Sequence, residues 1–177
     1  MKPSSLPFPI VWTINKGFDA VWWIWSQCVN SWMWITKYRG ALYGACYWLA
    51  LIKERTKTLD DIRRELKAFH WTADKYFDYF PWVRTLAASG FRDDCDGAAV
   101  YGGFLLSCIG IKSRRVKLIA TNDTWRFWQW YGHIIQVSND NKYFISNNDL
   151  VEITGEWKQF VKDYFYQRGL DSYDWIL

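Results

Sequence analysis

A chain of 177 residues with a net charge of +4 is long enough for one domain with a substantial core. Half of its residues are apolar and 20% are aromatic, including 14 Trp, which excludes a disordered tail, a collagen and a low-complexity linker. The charge is too small to argue for a nucleic-acid partner by itself.

Both the Trp and the charge are unevenly spread. Seven of the 14 Trp lie between Trp12 and Trp48, and residues 1–51 hold Lys2, Lys16, Lys37 and Arg39 against Asp19 alone. The four cysteines (Cys28, Cys46, Cys95, Cys108) form no C-x-x-C, and His70 and His133 do not join them at zinc spacing. A reducing compartment, or a virion, is mildly favoured over an oxidising one.

Taken in chain order, residues 1–10 contain Pro3, Pro7 and Pro9 and read as an extended leader without the features of an ordinary signal peptide. Two apolar runs follow, 18–36 and 40–52, separated by Lys37-Tyr38-Arg39-Gly40. Ala20 to Thr36 is free of charge, yet both runs fall short of the ~20 apolar residues of a membrane span. The plainest reading of residues 1–52 is a helical extension, a hairpin whose aromatic face packs on the following domain. Docking into a larger assembly and lying at a membrane interface are the alternatives.

Residues 53–177 form the main domain. Leu59, Ile62, Leu66 and Phe69 recur at 3–4 spacing and predict an amphipathic helix over 53–70, with Thr58 and Asp61 as an N-cap pair and His70 a packing residue at its end. Pro81 breaks an aromatic stretch, Tyr76 to Trp82, and a short helix then ends at Gly90. A further helix over 94–109 closes at Gly110. Beyond it the period changes to two. Val116 to Ile119 and Trp125 to Val137 read as strands, Tyr143 to Asn147 pairs back, and a last helical stretch begins at Glu156. Helices first and an antiparallel sheet afterwards give the class α+β.

Cys95, in Asp93-Asp94-Cys95-Asp96-Gly97, opens a helix, where free N–H groups and the helix dipole favour the attacking thiolate. A His on a following strand is the usual companion base, and His133 is the one candidate beyond Cys95. Asn147, Asn148 or Asp149 could orient its imidazole. Asp93, Asp94 and Asp96 read first as caps of the helix N-terminus. Cys108 lies 13 residues further on, about 20 Å along one helix, too far for a disulfide with Cys95. Cys28 and Cys46 could pair only if the hairpin juxtaposes them.

The run Tyr79-Phe80-Pro81-Trp82-Val83-Arg84-Thr85, then Gly90-Phe91-Arg92-Asp93-Asp94-Cys95-Asp96-Gly97-Ala98-Ala99, then Gly132-His133-Ile134-Ile135 and an Asn-Asn-Asp, resembles the bacterial transglutaminase-like cysteine proteinases. The resemblance covers about residues 58–150 and none of the aromatic N-terminus. It implies a papain-like core, Cys95 as nucleophile, His133 as base and Asn147 as the orienting residue, with Asn where the family has Asp. It also implies a calcium ion in some members, for which Asp94 and Asp96 are the candidate ligands, although Gly97 replaces an acid. The activity implied is thiol hydrolysis of an amide bond in a protein or peptide. The alternative is a catalytically silent domain docked into an assembly through residues 1–52. Single-stranded nucleic-acid binding through Trp125, Phe127, Trp128 and Trp130 is disfavoured, because alternation sends the two pairs to opposite faces and one pair must be core.

Overall fold

The computed structural model describes residues 8–72, 79–120, 131–168 and 175–176. The two apolar runs form helices, α1 (Phe8–Thr36) and α2 (Leu42–Arg55). α1 starts inside the stretch read as a leader, because Pro9 falls in its first turn, where the missing N–H costs no intrahelical bond. It ends where Lys37 and Tyr38 both donate to the Met33 carbonyl.

The helix predicted over 53–70 is shorter. Residues 53–55 finish α2, Thr56 turns extended, and α3 (Leu59–Leu66) begins at Thr58. The expected N-cap pair is a full capping box. Thr58 Oγ1 accepts from the Asp61 N–H at 3.2 Å, and Asp61 Oδ2 accepts from the Thr58 N–H at 2.9 Å. Those bonds, with the Lys57 N–H as the largest contributor, hold the Asp61 carboxyl down at about 2. Buried Glu65 takes Arg55 at 2.6 Å and ties α3 to the end of α2. Ile52 belongs to the core cluster of Ile62, Leu66, Tyr101 and Leu105, so the boundary expected at residue 52 cuts through a helix already committed to the core.

His70 does not end a helix. It lies exposed in β1 (His70–Trp71), which pairs in parallel with β2 (Arg92–Asp93). Between them α4 (Val83–Ala88) ends at Gly90, whose φ of 76° is the left-handed conformation that suits glycine. α5 (Cys95–Cys108) follows, with Gly110 just past it.

The main sheet has the order β6-β5-β4-β3-β7, antiparallel at every pairing: β3 (Ser113–Ala120), β4 (Tyr131–Ser138), β5 (Tyr143–Ser146), β6 (Asp149–Glu152) and β7 (Trp175–Ile176). β6 was not foreseen, because Asn147 and Asn148 read as part of a strand when they are its turn; Asn147 has φ 49°. Residues 121–130, including the four aromatics weighed for nucleic acid, and residues 76–78 and Gly169 lie outside the described residues.

The class is therefore α+β, with a Cys-bearing helix packed on an antiparallel sheet. α5 covers one face. A Cβ added at Gly102 would meet Ile145 at 2.9 Å, and one at Gly103 would meet Gln136 at 3.0 Å, so these glycines set how closely helix and sheet approach. α6 (Trp157–Gln167) covers the other face, where Val161, Tyr164 and Phe165 pack on Val116, Leu118, Ile135, Val137 and Phe144.

Candidate functional site

Cys95 stands at the first position of α5, partly buried. Asp94 is the N-cap, its Oδ1 accepting from the Asp96 N–H at 3.0 Å, and Asp93 Oδ1 accepts from the Asp94 N–H at 3.0 Å. Burial raises the Asp94 carboxyl above its ordinary value. The Cys95 thiol points at Asp96 Oδ1, 3.8 Å away. Gly97, which departs from the family pattern, has a local cause: a Cβ there would fall 2.3 Å from the Asp93 Cβ. An acid at that position would displace Asp93.

Asp94, Cys95 and Asp96 bring their ligand atoms within 4.8 Å of one another. Calcium takes six to eight oxygen ligands, and this group offers two carboxylates, one already spent on the cap, beside a soft sulfur. Among the described residues the donor set does not fit the ion.

His133 sits on β4, opposite Leu118 of β3. The ladder from Ser113↔Ser138 to Ala120↔Tyr131 is regular, so β4 alternates without a bulge. Ile135 and Val137 face α6, and His133 shares their side. Its ring meets Phe165 of α6 edge-on at 5.4 Å, and its Nε2 lies 2.9 Å from Ser146 Oγ. Burial pushes the imidazole down to about 4. Cys95 and His133 are therefore not brought to one face of the sheet. Cys95 belongs to the helix on the Gln136 and Ile145 side, and strand alternation sends His133 to the α6 side.

The three candidate orienting residues divide as well. Asn147 occupies the β5–β6 turn, with a buried Oδ1 that has no hydrogen-bond partner among the described residues. Asn148 Nδ2 donates to the Phe69 carbonyl at 3.0 Å, tying that turn to the segment between α3 and β1. Asp149 accepts from the Tyr164 hydroxyl at 3.3 Å, which raises the phenol above its usual range together with burial, the larger cause. Cys28 and Cys46 are exposed free thiols, so the hairpin does not pair them. Cys108 is free and partly buried, and burial pushes its thiol up.

The feature that sequence reasoning missed is the orientation of α1. Its inward face carries buried polar side chains beside Val29: Ser26 is 1% exposed and Asn30 0%. Asn30 Nδ2 donates to the Ser26 and Phe80 carbonyls, both at 2.8 Å. Its Oδ1 accepts from the Trp82 N–H at 2.9 Å and the Thr85 hydroxyl at 2.8 Å. Ser26 Oγ takes the Phe80 N–H at 2.9 Å, and Gln27 Oε1 takes Trp82 Nε1 at 3.0 Å. A cleft of about 590 Å³ opens beside these bonds, walled by Trp23, Gln27, Phe80, Trp82, Gly103 and Arg115.

The outward face is apolar. Val21 is 68% exposed, Ile24 58% and Ile35 72%, with Trp32 alongside. The expected packing of the aromatic face on the domain is present in part: Trp22 meets Phe80 and Trp34 Nε1 donates to Thr85 Oγ1 at 3.1 Å, while Trp12, Trp23 and Trp32 are exposed. The spacing of Asn15, Ser26 and Asn30, eleven and four residues apart, is helical and was the available signal. Among the described residues no helix is long and apolar enough to cross a membrane. No family model, curated protein or solved structure matches the chain.

Proposed function

We propose that this chain is a component of a larger assembly, in which the α+β domain is held through the outward face of the α1–α2 hairpin. The observation that carries the reading is the inversion of α1. A helix that only completed its own core would bury Val21, Ile24, Trp32 and Ile35 and leave its amides in water. Here the amides are spent on hydrogen bonds that fix the orientation, and Val21, Ile24, Trp32 and Ile35 face outward. A contiguous exposed apolar surface of this kind marks an interaction site.

Deleting residues 1–52 would remove Ile52 from the core, so the test uses surface substitutions. Val21→Glu with Trp32→Glu in the full chain should abolish its association in sedimentation velocity while leaving the far-UV circular dichroism unchanged. A chain that is monomeric before substitution, with Trp fluorescence resistant to acrylamide quenching, would overturn the proposal.

A second reading, a thiol hydrolase of papain-like or transglutaminase-like class, is favoured by the partly accessible Cys95 at the N-terminus of a helix followed by antiparallel strands. Cys95 would attack an amide carbonyl, the oxyanion would form near the helix N-terminus, and water would release the acyl group. The thiol proton would pass to His133 and from it to the departing amine, which requires that imidazole on the α5 side of the sheet, and this places the reading second. A thiol-directed activity probe should label Cys95 ahead of Cys28, Cys46 and Cys108, and more slowly in His133→Ala. Equal labelling of all four would end this reading.

A further inference from the structure

The cleft on the inward side of α1 joins a cationic rim to an unsatisfied floor. Arg115 of β3 and Gln136 of β4 are cross-strand partners, so both project from one face of the sheet, the face that α5 covers. Gln136 is 6% exposed, and its amide lies against Gly103, where an added Cβ would meet Nε2 at 3.0 Å. Nε2 donates to Ser113 Oγ at 2.7 Å, whereas Oε1 has no hydrogen-bond partner among the described residues. Above this floor the Arg115 guanidinium lies 4.5 Å from the centroid of the Phe80 ring, and that of Arg84 lies 5.4 Å from Trp82. Neither arginine forms an ion pair among the described residues. Gln136, Arg84 and Arg115 all line the cleft, with Trp23, Phe80 and Trp82.

Each of these features selects part of a ligand. A guanidinium stacked on a ring keeps its in-plane N–H fork free, and that fork matches a carboxylate. A buried amide oxygen without a donor is costly to leave so, and it asks for an N–H or O–H. Indole and phenyl walls offer their faces to another ring. The volume, about 590 Å³, falls in the range of roughly 300–1,000 Å³ that holds small molecules.

We infer that this cleft binds an N-acylated aromatic amino acid with a free carboxylate, the chemistry shared by the C-terminal residue of a peptide and a free acylamino acid. Arg115 takes the carboxylate, with Arg84 adding positive charge at the rim. The amide N–H of the ligand donates to Gln136 Oε1, and its ring lies against Trp23 and Trp82. A bare phosphate would answer the arginines but bring only acceptors to the Gln136 oxygen. A neutral aromatic would leave both guanidiniums without a counter-charge. The site lies on the inward side of α1 and does not depend on docking through the outward side.

Isothermal titration of the full chain tests this with three probes. N-acetyl-L-phenylalanine should bind saturably, one per chain. N-acetyl-L-phenylalaninamide lacks the anion and 3-phenylpropionate lacks the amide N–H, and each should bind at least about tenfold more weakly. Arg115→Gln should weaken the acid at least about tenfold and leave the amide unchanged, a split that a merely structural effect would not produce. Trp23→Ala, at a side chain 60% exposed, serves if Arg115→Gln disturbs the sheet, and should weaken all three probes. Absence of saturable binding of the acid at millimolar concentration would overturn the inference. So would equal binding of the acid and either analogue, or acid binding unmoved by both substitutions. Inorganic phosphate binding as tightly as the acid would overturn it in favour of a plain anion site. Acetyl-Gly-Gly-Phe then distinguishes the sources: binding at least as tight as that of the single residue supports the inference with a peptide C-terminus as ligand, and its exclusion supports it with a free acylamino acid.

Discussion

α1 and α5 are two helices with long uncharged stretches, Ala20 to Thr36 and Gly97 to Cys108, and the fold uses them in opposite ways. α5 is rich in small residues. Gly97, Ala98, Ala99 and Gly102 are buried, and its glycines let Asp93, Ile145 and Gln136 approach within contact distance. α1 is rich in bulky aromatics, and beside Val29, Trp22 and Trp34 its contacts with the domain are made by buried amides and a hydroxyl. Hydropathy alone does not separate the two. Side-chain volume does: small residues mark a helix pressed into a core, and large ones opposite a polar stripe mark a helix laid on a domain with its back free.

Substitutions can break this comparison, and the largest effect is expected on the polar side of α1. Asn30→Leu is nearly isosteric and more apolar, so a hydrophobic account of α1 predicts stabilisation. The hydrogen bonds predict the reverse, because the Trp82 N–H and the Phe80 carbonyl lose their partner inside the protein. At about 1–3 kcal/mol for each unsatisfied buried group, the loss should be about 3–5 kcal/mol, read as a fall of roughly 10 °C in Tm by calorimetry.

The next effect belongs to the sheet. His133 titrates at about 4 in the fold against an ordinary 6.5, so the unfolded chain binds the proton first. Its contribution is complete above about pH 6.5 and is lost as pH falls through 4, on the order of 3 kcal/mol in all. Urea denaturation between pH 7 and pH 4 should show this slope, and His133→Gln should flatten it. An unchanged slope in the variant would mean that the imidazole is not held on the apolar α6 side.

On α5, Gly102→Ala should cost about 1–3 kcal/mol through overpacking against Ile145, with part regained in combination with Ile145→Val. The smallest effect is expected on the back of α1. Ile24→Gln should change stability by no more than about 0.5 kcal/mol, since the side chain is already 58% exposed. A loss as large as that of Asn30→Leu would mean that this face is covered within the chain.

Much of the local structure was legible in the sequence, where short-range chemistry decides it. Thr58 and Asp61 announce the start of α3, Gly90 and Gly110 the ends of α4 and α5, and the charge-free runs the helices α1 and α2. What depends on more distant partners was not. The alternation of His133 with Ile135 is visible in the sequence, but which side of the sheet α5 covers is fixed only when Gly102 and Gly103 meet Ile145 and Gln136. Pairing Cys95 with His133 needs the Cys-bearing helix and the His on one face, and that is decided by these distant contacts. Likewise the outward turn of α1 follows from Phe80, Trp82 and Thr85, 50 to 55 residues away from Asn30.

The bonds of Asn30 also carry a mechanical consequence. Apolar side chains slide past one another with little resistance, whereas an amide that donates to Phe80 and accepts from Trp82 and Thr85 resists rotation of its helix about the long axis. A torque applied to the outer side of α1 is therefore delivered to the strap 80–85 and on to α4, directly ahead of the segment that leads into Cys95. Whatever grips the hairpin grips the entrance to α5 as well.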